Sequence, residues 1–323
     1  MHQPLISSDR RVRSHRPYRT GDERNQYIEA FLVSSDIMRA LRRSKLFVPG
    51  NKPELMRKAL RSQADSLSLD LEDAVPLTQK AHARAEVRAF LADADCRDRE
   101  IVVRVNSRES GLLLADLLSI APARPNVVNI PKVESARDLQ FADDVLTHLE
   151  HEHEIPPGST RLMPTFESAR GIRLAVEICQ SSPRVVALQF GMGDLKASTG
   201  IASRPDILRS IRLQLVLAAA ECGIDALDSA FPDFSDSKGF AADCAEARAL
   251  GFRGKSCIYP SQVILCNSSF LPSPAEIEDA QALIQAYEEA RSAGTGAINF
   301  KGRLVDEAHW LDARRLLATL ASD

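Results

Sequence analysis

At 323 residues, with 44% hydrophobic and 26% charged side chains, the chain has the composition of a globular protein with a sizeable core. That length suits one large α/β barrel or two ordinary domains. A formal net charge of −3 supplies no general attraction for nucleic acid or an anionic membrane, and no apolar run approaches the roughly 18 residues of a transmembrane helix.

Residues 1–41 stand apart. The stretch from Asp9 to Arg19 carries five arginines and little apolar content. Asp9, Pro17, Asp22 and Glu23 argue against a transit peptide, which is poor in acids and amphipathic. The reading is a solvated or subunit-contacting extension, with a phosphate- or nucleic-acid-binding arm as the alternative.

Short β-like runs then alternate with amphipathic helical ones. The expected strands are Lys45–Val48, Ser66–Leu71, Ile101–Val105, Val127–Ile130, Arg161–Phe166, Val185–Phe190, Ile224–Ser229 and Gly254–Ile258. Helical periodicity lies between them, as in Ala169–Cys179 and Ile207–Cys222. Eight strand–helix units with no linker predict a single (β/α)8 TIM barrel over 42–270. Residues 271–323 form a C-terminal helical extension, a lid or subunit contact. Ser273 caps its first helix, Pro274 occupies the first turn, and the helix runs to about Ser292 before Gly294 and Gly296. A last helix follows Asp306. The six cysteines, Cys96, Cys179, Cys222, Cys244, Cys257 and Cys266, show no Cys-x-x-Cys spacing, the pattern of reduced core thiols in a cytoplasmic protein.

Chemistry concentrates at the ends of the strands, where α/β proteins build their sites. Glu167 and Asp194 each end an apolar run, and two such carboxylates can hold a hard divalent cation. Asp70, Glu72 and Asp73 close the second strand, with Asp70 and Glu72 on one face by period-two alternation. Their bland alternatives are a helix cap or a salt bridge. Arg104 is a lone cation in a β-branched strand, and its partner is either Glu72 across the barrel or a substrate carboxylate. Lys132 ends the fourth strand, where a Schiff-base role is the minor alternative. His148, His151 and His153 lie in a wholly polar stretch and read as a solvated helix end rather than a metal site. Gly191-Met-Gly193 lacks the third glycine of a dinucleotide loop and reads as a tight turn beside Asp194.

Several motifs resemble the citrate lyase β-subunit-like family, within the HpcH/HpaI aldolase/citrate lyase superfamily, which includes malyl-CoA and citramalyl-CoA lyases. They are Arg43-Ser-Lys-Leu-Phe-Val-Pro-Gly-Asn51, Asp70-Leu-Glu-Asp-Ala-Val75, Val103-Arg-Val-Asn106, Pro131-Lys-Val-Glu-Ser135 and Gly254-Lys-Ser-Cys-Ile-Tyr-Pro-Ser-Gln262. Phe270-Leu-Pro-Ser-Pro-Ala-Glu-Ile and Lys301-Gly-Arg-Leu-Val-Asp306 extend the likeness, which covers about residues 42–320. The resemblance implies a barrel, commonly trimeric, with Mg²⁺ (or Mn²⁺ as a substitute) held by Glu167 and Asp194. It implies that Arg104 grips a 2-oxo acid, that Lys58 lies near the phosphates of coenzyme A, and that Asp306 reaches into a neighbouring subunit's site. Phe47, Ile258 and Tyr259 fall in the same motifs and are assigned to substrate or coenzyme A binding.

Three departures from that pattern bear on acyl-group specificity and thioester affinity. Tyr259 precedes Pro260 where the family usually has His, Gly193 precedes Asp194 where it usually has Glu, and Glu54 stands where a basic residue is common. The expected activity is Mg²⁺-dependent carbon–carbon cleavage of citramalyl-CoA or malyl-CoA to acetyl-CoA and a 2-oxo acid. Catalytic roles fall to Arg104, Asp306 and Glu72. The rival readings are a citrate lyase β subunit acting on a carrier protein, a metal-dependent pyruvate aldolase, and a non-catalytic binding barrel.

Overall fold

The computed structural model describes residues 41–93, 99–202 and 204–320. The Arg-rich segment up to residue 40 and Cys96 lie outside the described residues. Eight strands follow in order: β1 (Ser44–Pro49), β2 (Ser66–Asp70), β3 (Glu100–Arg104), β4 (Val127–Ile130), β5 (Arg161–Phe166), β6 (Ala187–Phe190), β7 (Asp225–Asp228) and β8 (Gly254–Cys257). Each pairs in parallel with the next, and β8 returns to β1, closing the barrel that the sequence predicts.

The helices around it are α1 (Pro53–Ala59), α2 (Lys80–Asp93), α3 (Leu113–Ile120), α4 (Ala136–Glu152), α5 (Ala169–Arg173), α6 (Ala175–Cys179), α7 (Met192–Thr199), α8 (Pro205–Cys222), α9 (Ser237–Leu250) and α10 (Pro260–Phe270). The expected helix over Ala169–Cys179 is two short ones, because Leu174 (φ −102°, ψ 12°) leaves helical geometry between them. Val185, expected to open the sixth strand, makes only an isolated bridge to Leu162.

Strands buried on both faces read as continuous apolar runs, and the pleat divides them. Leu46, Val48, Leu67, Leu69, Ile101, Val103, Val128 and Ile130 join the main core with the helices. Val102, Val127, Met163, Ala187 and Leu227 form a smaller cluster of their own inside the barrel. Toward the C-terminal strand ends the interior turns polar, with Asn129, Thr165 and Gln189 buried and the buried Lys45 reaching up to Asn129 and Gln189 from the start of β1. The barrel seam depends on Gly254, where an added Cβ would lie 1.7 Å from the Arg42 carbonyl oxygen.

Beyond the barrel come α11 (Pro274–Ser292), a hairpin of β9 (Ile298–Phe300) and β10 (Arg303–Val305), and α12 (Glu307–Ala318). Ser273 caps α11 as expected, its Oγ accepting from the Glu276 amide at 3.2 Å. The hairpin is a finding of the structure, since three-residue strands show no usable periodicity in sequence. Its two-residue turn, Lys301 (φ 49°) and Gly302 (φ 80°), has the paired positive φ that suits the strand twist. Ala280, Leu283, Tyr287, Val305, Trp310 and Ala313 give this extension its own apolar cluster. The five described cysteines are free thiols, and among the described residues no helix is long and apolar enough to cross a membrane.

Candidate active site

The loops after β2 to β6 bring five carboxylates and two cations together. Arg104 ends β3 in register with Asp70 at the end of β2, so the two strands are neighbours. Its Nε and Nη2 donate to Asp70 Oδ1 and Oδ2, both at 2.7 Å, a bidentate pair. Nη1 lies 3.0 Å from Glu72 Oε2 and 3.2 Å from Asp73 Oδ2. The main partner of Arg104 is therefore Asp70, with Glu72 and Asp73 sharing one nitrogen. Glu72, one of the two partners expected for Arg104, does reach it, but from the end of the neighbouring strand rather than from across the barrel. Asp70 also accepts from the amides of Glu72 and Ala74, which hold the turn after β2. Despite burial, Arg104 and these amides keep the Asp70 carboxyl below its ordinary range.

Lys132 joins the two halves of this group. Its φ of 54° is left-handed, an uncommon conformation for a residue with a Cβ. The turn aims its amide at Glu167 Oε1 (2.5 Å), while its Nζ donates to Glu72 Oε1 (2.7 Å) and lies 3.9 Å from Asp194 Oδ1. Hydrogen bonding and attraction from Glu72 outweigh desolvation and hold this amine protonated well above its ordinary range. A protonated amine is not a nucleophile, so the geometry disfavours the Schiff-base alternative.

Glu167 follows β5 directly and is 5% exposed. Gly191 makes room for it, since a Cβ at that position would lie 2.5 Å from Glu167 Oε2. Gly193 meets nothing within 4 Å, so of the two glycines Gly191 is the constrained one. Asp194 is not at a strand end as expected. β6 stops at Phe190, and Asp194 lies in the first turn of α7, where the helix dipole favours an anion. Its side chain is 45% exposed and opens the carboxylate group to solvent.

Burial, together with repulsion from Glu72 and Asp194, pushes the Glu167 carboxyl up to about 8. Burial likewise raises Glu72, against the pull of Arg104 and Lys132. Asp70, Glu72, Asp73, Glu167 and Asp194 thus outnumber Arg104 and Lys132, and Glu167 is the carboxyl on which a negative charge is strongly disfavoured. Such a group fits a hard dication, which relieves the repulsion and takes oxygen ligands. Among the described residues no three His, Cys, Asp or Glu side chains form a ready metal cage. Two carboxylate ligands, Glu167 and Asp194, would leave a six-coordinate cation positions for water or substrate oxygens.

Phe47 lies beside this group, its ring centre 5.0 Å from the Arg104 guanidinium. After β7 and β8, Phe234 stacks on Tyr259 with centroids 5.2 Å apart, and both rings stay half exposed (57% and 50%) beside Ile258. The sequence reading missed Phe234, because no spacing marks a loop aromatic that stacks across strands. Lys58 is exposed in the last turn of α1. Asp306 caps α12 and meets His309 Nδ1 at 2.7 Å, and among the described residues its hydrogen-bond and ion-pair partners all lie within that helix start. The structure does not bring Asp306 to the carboxylates within one chain. His148, His151 and His153 are exposed at the end of α4, whereas the interleaved Glu150 is buried against Arg184 (2.7 Å). Sequence reasoning also passed over Lys45, although it shares inward parity with Phe47 on β1.

Known proteins resemble this chain over most of its length. The citrate lyase subunit beta of Leuconostoc mesenteroides subsp. cremoris is 36% identical over 279 residues, covering 86% of this chain and 92% of that protein. A (3S)-malyl-CoA thioesterase of Cereibacter sphaeroides is 37% identical over 278 residues, covering 85% and 93%. The crystal structure of CitE from Mycobacterium tuberculosis with magnesium, acetoacetate and coenzyme A superposes with a TM-score of 0.72 at 29% identity. That match covers 86% of this chain and 97% of CitE. With residues 43–260 matching its family pattern as well, the chain belongs to the HpcH/HpaI aldolase/citrate lyase family.

Proposed function

We propose that this protein is a Mg²⁺-dependent carbon–carbon lyase that cleaves citramalyl-CoA or malyl-CoA to acetyl-CoA and pyruvate or glyoxylate. The observation that carries the reading is the Glu167–Asp194 pair, with Glu167 pushed up to about 8 inside an excess of carboxylates. The relative CitE, solved with magnesium, acetoacetate and coenzyme A, supports the same ligand set. Mn²⁺ is a substitute of the same ligand preference.

When bound to Glu167 and Asp194, the metal would polarise the substrate's hydroxyl and carboxylate oxygens. Arg104, held rigidly by Asp70, would orient the 2-oxo acid carboxylate with Phe47 packed beside it. Glu72 would hold Arg104 and Lys132 in place. We assign the proton exchange to Asp306 of a neighbouring copy in a homo-oligomer, trimeric by family resemblance: its carboxylate, held ionised by His309, would accept the substrate hydroxyl proton as the carbon–carbon bond breaks and return it to the acetyl-CoA enolate carbon. Lys58 would meet the phosphates of coenzyme A, and Ile258 and Tyr259 its acyl arm.

The similarity to (3S)-malyl-CoA thioesterases favours a second reading, hydrolysis at the thioester. Similarity to citrate lyase β subunits favours a third, action on a citryl carrier protein. Product analysis separates them. Incubation of each thioester with Mg²⁺ and with EDTA should give metal-dependent acetyl-CoA plus the 2-oxo acid. Free coenzyme A with malate or citramalate would replace the lyase by the thioesterase. Turnover of a citryl-carrier protein alone would install the third reading.

A further inference from the structure

Lys45 is 0% exposed inside the barrel, on β1 and two residues before Phe47. Its Nζ donates to Gln189 Oε1 on β6 and to Asn129 Oδ1 on β4 (3.2 Å), and meets Met163 Sδ on β5 at 3.7 Å. All three partners are neutral, and among the described residues Lys45 has no carboxylate in ion-pairing range. Its strand neighbours at the same level, Ser66 on β2 and Ser256 on β8, are buried with unpartnered hydroxyls. The charged groups that bear on it are Arg104 and Glu100 on β3, Asp70 on β2 and Arg42 before β1. Asp70 is already committed to Arg104, and Glu100 to Arg42 at 2.7 Å.

A buried cation without an anion is costly, and Phe47 compensates it only weakly with its ring centre 4.7 Å from Nζ. The same ring lies 5.0 Å from Arg104, so two cations share one aromatic neighbour at the mouth of the barrel. Asn129 extends the network to Thr165 (2.9 Å), two residues before Glu167. Lys45 therefore sits below the place where an acidic head group would bind.

We propose that Lys45 is a positioning residue for the anionic head group, its protonation coupled to anion binding above Phe47. This rests on the functional reading above, which places a carboxylate at Arg104. Burial first, and then Arg104, pull the amine down to about 7, so its charge responds near neutrality. An anion bound above the ring draws a proton from solvent onto Nζ. Below the free-state titration the ammonium is already present and attracts the anion. Well above the bound-state titration it is neutral and contributes nothing.

The test uses the full-length protein with Mg²⁺ and oxalate, a small dianion of 2-oxo acid shape, in calorimetric titrations. Lys45→Met should bind oxalate roughly tenfold more weakly than wild type at about pH 6, as expected for one unit charge acting across part of a protein interior. At about pH 9 the two proteins should converge. A purely structural role would give the same deficit at both pH values, and that outcome, or no deficit, overturns the proposal. A second measurement guards against a variant that fails to fold. In wild type carrying lysine labelled with ¹³C at Cε, the resonance titrating near neutrality should move about one pH unit higher with oxalate. No movement overturns the coupling, as does failure of wild type to bind oxalate at either pH. Oxalate binding with the expected pH signature but no thioester cleavage would remove the lyase reading and leave the role of Lys45 standing.

Discussion

Glu167 is the residue on which the electrostatics of the site converge. Its carboxyl is raised to about 8 from an ordinary 4.5, so the folded protein favours its protonated form. A raised folded-state value gives stability that is fully present below the unfolded value and lost as pH rises through the folded one. Metal-free protein should therefore lose melting temperature between about pH 5 and pH 9, and Glu167→Gln should flatten that slope. Melts in EDTA across this window check it, and parallel curves for the two proteins would count against the assignment. Mg²⁺ should raise the wild-type midpoint more at the alkaline end, where the carboxylate is charged. Asp194, half exposed on α7, carries little of the fold. Asp194→Ala should keep the circular dichroism spectrum and lower turnover by at least about a hundredfold, as expected for losing metal-derived stabilisation. Wild-type rates in that variant would end the metal mechanism.

Closure of the barrel is decided at the level of elements. β8 returns to β1 through Gly254, whose missing side chain admits the Arg42 carbonyl oxygen. The contact is with backbone, which cannot rotate away. Gly254→Ala should destabilise the protein by about 1–3 kcal/mol, the usual cost of overpacking a closed interior. Urea unfolding gives the number, and an unchanged midpoint would mean that the seam has slack. At the ends of β2 and β3 the register pair Asp70–Arg104 both ties the two strands together and shapes the site. The hairpin of β9 and β10 brings Val305, which ends β10, to Trp310 and Tyr287 in the extension's own core. That packing leaves Asp306 at the start of α12, where its side chain caps the helix and stays half exposed.

For the whole molecule, the separation of Asp306 from the carboxylate group is the feature that points beyond one chain. If the site is completed by a second copy, Asp306→Ala and Asp194→Ala should each be inactive, and mixing them with verified subunit exchange should recover part of the activity. Asp194→Ala is the better partner than Arg104→Ala, since removing Arg104 would leave Asp70 buried and unpaired. No recovery after exchange would confine the site to a single chain. The measurement reads assembly through chemistry, so it remains informative whichever oligomer forms.

The barrel was legible because eight apolar runs, each bounded by turn residues and followed by helical periodicity, carry local information that hydrophobic burial turns directly into structure. Glu167, Arg104 and Glu72 were legible for the same reason, as charged residues at or just beyond the ends of such runs. The sequence by itself determined the barrel and the carboxylates and cations available near its strand ends, because both are carried by local pattern. Tertiary structure alone decided the pairings: Asp70 rather than Glu72 as the main partner of Arg104, Lys132 between Glu72 and Glu167, and Lys45 among neutral dipoles. Those contacts join residues tens of positions apart, and which carboxylate meets which cation is set by strand register and backbone turns. Electrostatics then follows the geometry, because a charge takes its proton affinity from the neighbours that folding gives it.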